Sequence, residues 1–101
     1  MDNQKTARPK HSKKVKDRVF AAYGGYFCKC CGETEPFVLT IDHISGGGGL
    51  HARELGGLGG KLYEWLIKAN FPTGFQVLCF NCNVGKYRNK GTCPVHGHLL
   101  T

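Results

Sequence analysis

Two cysteine pairs of identical spacing, Cys28-Lys-Cys-Cys31 and Cys79-Phe-Asn-Cys82, constrain this chain more than any other feature. Each CxxC pair closes a tight turn that presents two thiolates, and two such turns far apart in sequence suit one tetrahedral Zn²⁺. Four protein ligands leave that ion no open position, so it is read as structural and any chemistry must come from other side chains. Asp42-His43 lies between the pairs, and Asn83 directly follows the last cysteine. Six cysteines would also allow three disulfides. However, no apolar stretch resembling a signal peptide lies near Met1, and CxxC is a metal or redox spacing more than a secreted framework. Reduced, zinc-bound cysteines are the expectation.

Of the 101 residues, only about 80 read as able to pack, which makes one small domain with a thin core that needs a staple. No apolar run is long enough to span a bilayer, so a soluble, intracellular protein with no membrane partner is expected. The net charge of +7 is unevenly spread. Residues 1–18 carry Lys5, Arg8, Lys10, Lys13, Lys14, Lys16 and Arg18 against Asp2 and Asp17, residues 19–83 are nearly balanced, and residues 84–101 add Lys86, Arg88 and Lys90. Basic ends around a balanced middle suit a partner made of phosphates, because each Lys or Arg placed on a phosphate releases counterions. A solubilising tail is the alternative reading of the N-terminal arm taken alone.

Along the chain, residues 1–11 read as a flexible basic arm. Ser12 is placed to cap a helix over 12–23, in which Val15, Val19 and Tyr23 recur at i, i+4 and i+8 before Gly24-Gly25. Phe37–Ile41 has strand composition and runs into Asp42-His43. Eight glycines fall among residues 46–60, interrupted by His51, Arg53 and Glu54, and this stretch reads as a loop. Lys61 to Ala69 reads as a helix with Leu62, Trp65, Leu66 and Ala69 on one stripe, Asn70 as a cap and Pro72 beyond. Phe75–Leu78 is a second strand, Asn81 to about Asn89 a short helix weakened by Gly85, and residues 91–101 a tail. Cys30 is left spare by the CxxC spacing. Cys93, His96 and His98, with Cys30 as a fourth ligand, offer a second metal set, but a loose tail is the expected state.

Cys28-x-x-Cys31, Ile41-Asp42-His43-Ile44 and Leu78-Cys79-x-x-Cys82-Asn83 with Lys86 resemble, in their order and spacing, the HNH endonuclease family of the His-Me finger nucleases. Trp65-Leu66, Asn70-Phe71-Pro72 and Gly74-Phe75-Gln76-Val77-Leu78-Cys79 are also similar to small HNH proteins of bacteriophages. The resemblance implies a small α+β, zinc-stabilised domain: a treble-clef-like ββα-metal fold over 37–89, with an N-terminal helix and an inserted helix, within a domain spanning 12–90. It implies a metal-dependent DNA endonuclease that hydrolyses phosphodiester bonds of double-stranded DNA, by nicking or double-strand cutting, leaving a 5′-phosphate and a 3′-hydroxyl. No recognition helix or base-reading motif is evident in the sequence, so low sequence specificity is expected. The chain is expected to be a monomer or weak dimer, with a phage packaging or other DNA-processing partner and, if of phage origin, a place in the host cytoplasm.

These residue types suit that chemistry. A histidine near its ordinary pKa, His43, can take a proton from water. Asp42 is a hard oxygen ligand for Mg²⁺ or Mn²⁺, and the family pattern implies that the residue after the last cysteine, here Asn83, completes that site from the helix. Lys86, Arg88, Arg53, His51, Lys13, Lys14 and Lys16 are the candidate DNA-binding residues. In a regular strand Asp42 and His43 point to opposite faces, so both serve one phosphate only where the strand ends or bends. Many family members carry an asparagine shortly before the second knuckle. Gly74 lies near that place here, and Asn70 or His51 is the candidate substitute. The competing reading is a non-catalytic, zinc-stabilised nucleic-acid-binding module in which Asp42-His43 is incidental.

Overall fold

The computed structural model describes the backbone of residues 3–56 and 60–101, and side chains for these except residues 3–12 and Gly60. Met1 and Asp2 of the expected arm, and positions 57–59 of the glycine stretch, lie outside the described residues. The elements in order are α1 (Asn3–Ala22), a single 3₁₀ turn (Pro36–Val38), β1 (Leu39–His43), α2 (Gly48–Leu55), α3 (Gly60–Lys68), β2 (Phe75–Cys79) and α4 (Phe80–Arg88). The result is a small α+β domain with a two-stranded sheet.

α1 begins well before the Ser12 cap expected from sequence, so the arm proposed for residues 1–11 is helical from Asn3 onward. Gln, Lys, Ala and Arg are all good helix formers, and they extend the helix past the start suggested by Ser12. The C-terminal half of α1 lies on α3, with Val19 and Phe20 fully buried. Phe20 stacks on Tyr26 at 4.9 Å between ring centroids, and the Tyr23 hydroxyl donates to the Pro72 carbonyl at 2.6 Å.

β1 and β2 pair antiparallel, with Leu39 opposite Cys79, Ile41 opposite Val77, Asp42 opposite Gln76 and His43 opposite Phe75. Alternation sorts the sheet into two faces. Thr40, Asp42, Gln76 and Leu78 lie on the side covered by α4, while Leu39, Ile41, His43, Phe75 and Val77 lie on the other. Leu39, Ile41, Leu66, Val77 and Leu78 join Val19 and Phe20 in the core.

The glycine stretch is not a loop throughout. Gly47 and Gly56 adopt left-handed backbone at φ 86° on either side of α2, and Ala52-Arg-Glu-Leu55 between them are strong helix formers. Beyond α3, Asn70 sits at φ 62° with its N–H bonded to the Ile67 carbonyl, which makes it the C-terminal cap of that helix. Residues 91–101 are also ordered. Thr92 bridges Leu99, the Cys93 N–H meets the His98 carbonyl at 2.9 Å, and Cys93 and Leu100 are buried. The expected loose tail is thus a closed turn packed on the domain.

Candidate functional site

The first cluster is made of thiols. Cys28, Cys31, Cys79 and Cys82 place their Sγ atoms within 4.8 Å of one another, an arrangement that can hold a metal ion. The Cys31 to Cys79 separation is 3.7 Å, against about 3.8 Å for the edge of a tetrahedron with Zn–S bonds near 2.3 Å. That spacing excludes a disulfide, and all six cysteines are unbridged. Burial raises the Cys28 thiol, but backbone N–H groups of Cys31, Cys79 and Cys30 aimed at its sulfur outweigh that and bring it down to about 7. A sulfur held ready to ionise is what a metal thiolate requires.

The second cluster lies at the end of β1. His43 is half-buried, and its Nε2 lies 2.8 Å from Nδ1 of His51 on α2. Its ring meets Phe75 edge-on at 4.8 Å, and the His51 ring meets Trp65 of α3 at 4.5 Å. His51 is therefore a helix residue facing His43, not a solvated loop residue, and Arg53 two positions on points to solvent. His51 and Arg53 do not converge on one phosphate, because positions two apart on a helix diverge. A Cβ on Gly48 would stand 3.1 Å from His43 Nδ1, so the bare glycine leaves that nitrogen uncrowded. Burial, then the neighbouring His51, pushes the His43 pKa below 6.5. His43 is thus neutral at physiological pH.

On the opposite face Asp42 is buried at 7% exposure and Lys86 at 5%. Lys86 Nζ lies 2.7 Å from Asp42 Oδ2 and donates to the carbonyls of His43 at 2.8 Å and Ile44 at 3.0 Å. An ammonium has three protons, and these three acceptors use them. Gln76 Nε2 donates to the same Oδ2 at 2.9 Å and to the Leu100 carbonyl at 2.7 Å. Asn83 Nδ2 donates to Thr40 Oγ1 at 3.0 Å. Asp42 Oδ1 and Asn83 Oδ1 carry no protein hydrogen bond among the described residues, and both residues line a cleft of about 700 Å³ together with His43, Gly48 and Tyr87. The Lys86 ammonium already balances the Asp42 carboxylate.

The basic residues divide. Lys86 is withdrawn from the DNA-binding set, since its buried ammonium has no proton left for a phosphate. Lys16 is also engaged, donating to the Pro36 carbonyl at 2.7 Å and lying 5.5 Å from the Phe20 ring centroid. Lys13 pairs with Asp17 at 2.9 Å on the surface. Lys14, Arg53 and Arg88 are exposed.

Gln76, Gly48 and the Leu100 carbonyl were not read as site elements. Gln76 carried one signal, a polar residue inside an apolar strand run. The other two carried none, because they act through contacts with residues distant in sequence. No family profile, curated protein or solved structure matches this chain.

Proposed function

We propose that this chain is a metal-dependent, HNH-type DNA endonuclease that hydrolyses backbone phosphodiesters with little sequence preference. The observation that carries the reading is His43 itself: at the end of a strand, in a cleft with Asp42 and Asn83, tied through Nε2 to His51 and uncrowded at Nδ1. The order β1, β2, α4, with the four thiols at its root, agrees with the ββα-metal fold the motifs resemble.

If His43 Nε2–H donates to His51 Nδ1, the lone pair remains on Nδ1, where Gly48 leaves room for a water. That nitrogen takes one proton from the water as its oxygen bonds to phosphorus. The bond from phosphorus to the 3′ oxygen breaks, and the leaving oxygen takes a proton from solvent. Neutral His43 has the protonation state this needs. His51, backed by Trp65, is a positioning residue. Asp42 and Asn83 would hold Mg²⁺ or Mn²⁺, which supplies charge stabilisation at the phosphate. The four cysteines would hold structural Zn²⁺. Arg53 on α2 and Arg88 on α4 stand exposed on the helices that contribute to the cleft, suited to backbone phosphates on either side.

One observation favours a second reading. The Lys86 ammonium already meets the charge of Asp42, which lowers the pull of that carboxylate on a divalent ion. A zinc-stabilised nucleic-acid-binding module would tolerate this. Nicking of supercoiled plasmid with Mg²⁺ or Mn²⁺, with EDTA, and by His43→Ala separates the two. The nuclease predicts metal-dependent nicking that falls about 10²- to 10⁴-fold in the variant, with plasmid binding retained. Binding without nicking by the folded wild-type protein would favour the module.

A further inference from the structure

A second set of metal-ligating atoms lies beside the first. Cys30, Cys82, Cys93 and His96 also present ligand atoms within 4.8 Å of one another. His96 Nδ1 is 3.3 Å from Cys93 Sγ and 3.5 Å from Cys30 Sγ, and His98 Nδ1 is 3.3 Å from Cys30 Sγ. For tetrahedral zinc with Zn–S near 2.3 Å and Zn–N near 2.0 Å, the sulfur-to-nitrogen edge is about 3.6 Å. The three observed separations all lie within about 0.3 Å below that edge.

The local backbone repeats the first knuckle. Cys28 receives the backbone N–H groups of residues two and three positions on, Cys30 and Cys31. Cys93 receives those of Val95 and His96, at the same two offsets. Cys93-Pro-Val-His96 is therefore a knuckle with imidazole in place of its second thiolate. Gly97, at φ 73°, bonds its N–H to the Cys93 carbonyl at 2.7 Å and turns the chain so that His98 returns beside Cys93. Cys30, at 7% exposure, and Cys93, at 1%, are buried thiols approached by the nitrogens of two otherwise exposed imidazoles. Packing alone gives no reason for exposed histidines to aim both Nδ1 atoms at buried sulfurs.

We propose that the C-terminal turn is a second zinc site, formed by Cys30, Cys93, His96 and His98. Cys82 completes the first group, so assigning His98 to the second gives each ion four ligands of its own. The Cys28-Lys-Cys-Cys31 segment then serves both, its outer cysteines one ion and Cys30 the other. The ion clips residues 92–100 to the domain, and that clip holds the Leu100 carbonyl on Gln76, whose amide also holds Asp42. This assignment is independent of the nuclease reading.

The test is metal stoichiometry by native mass spectrometry of the full chain purified with zinc, against its mass after denaturation. Two zinc ions per chain are expected, and a single ion in folded wild-type protein overturns the proposal. The paired variant Cys93→Ser, His96→Ala leaves both CxxC knuckles intact, and it should stay folded by circular dichroism with one ion. A folded variant that keeps two overturns the site. His98→Ala should weaken the second ion at least tenfold in chelator competition. Unchanged affinity there overturns the His98 assignment and makes Cys82 a bridging thiolate.

Discussion

The two faces of the β1–β2 sheet are built to opposite plans. Under α4, the Asp42 and Lys86 side chains are buried, and a lysine, a glutamine, two strand-end carbonyls and a tail carbonyl form one connected network. Across the sheet, His43 has one polar side-chain partner and otherwise meets aromatic rings. A buried ion pair is held in place by what its loss would leave unpaired. A ring with a single tether is positioned but keeps one nitrogen without a side-chain partner. Adjacent residues, Asp42 and His43, are therefore held differently, the first inside a buried network and the second by one side-chain tether.

Four substitutions and one titration separate those two faces. Cys79→Ser strikes the root of both faces. If the four thiols hold structural zinc, whose binding supplies folding free energy on the order of 10–16 kcal/mol, the variant should lose its metal and its cooperative unfolding transition together. A zinc-loaded, folded Cys79→Ser protein would break the four-thiol assignment. Lys86→Met tests the buried face alone. It leaves the Asp42 carboxylate buried without its counter-charge and two carbonyls unpaired, so urea denaturation should show a loss of about 3–5 kcal/mol. A change below 1 kcal/mol would mean the pair is more hydrated than its burial suggests.

Gly48→Ala tests the other face. The added methyl group presses on His43 Nδ1, whose ring cannot easily retreat from Phe75 and His51. On the nuclease reading, plasmid nicking should fall about tenfold, roughly 1.4 kcal/mol, while thermal stability changes little because the helix preference of alanine offsets the cost of the contact. A parallel loss of stability and activity would place the damage in the fold. The smallest effect is the response to pH. The folded protein holds the His43 pKa below 6.5, so between the two values the unfolded chain binds more protons. Stability should therefore be complete above pH 6.5 and decline as pH falls toward the folded value. The acid limb of nicking should also lie below 6.5, and His51→Ala, which removes one of its causes, should shift that limb upward. An unmoved limb would assign it to another group.

The elements nearest the four thiols are the most legible in the sequence. Both knuckles, the two strands and the helices beginning near Lys61 and Asn81 all appear within a residue or two of where composition and spacing put them. Helix α2 was hidden because its flanking glycines dominate the composition, although Ala52-Arg-Glu-Leu55 is ordinary helix sequence. Lys86 looked like a surface cation because its spacing from Asn83 puts both on one side of α4, and spacing does not report that this side faces the sheet. The tail looked loose because Pro94 and Gly97 suggest a coil, whereas here they shape a turn whose end, Leu100, enters the core.

By itself the sequence determined the two thiol pairs and the order of strand, strand and helix, since each follows from spacing within a few residues, while the grouping of Asp42, His43 and Asn83 came only from the family resemblance. Only the tertiary structure decided which atoms remain available for chemistry. Lys86 closes on Asp42 from 44 residues away, Gln76 reaches Leu100 across 24, and His51 meets His43 through a helix the glycines concealed. Hydrogen-bond capacity is finite, three protons on an ammonium and one lone pair on a neutral imidazole. Which partner takes each depends on how distant segments pack, and short-range spacing carries no record of that.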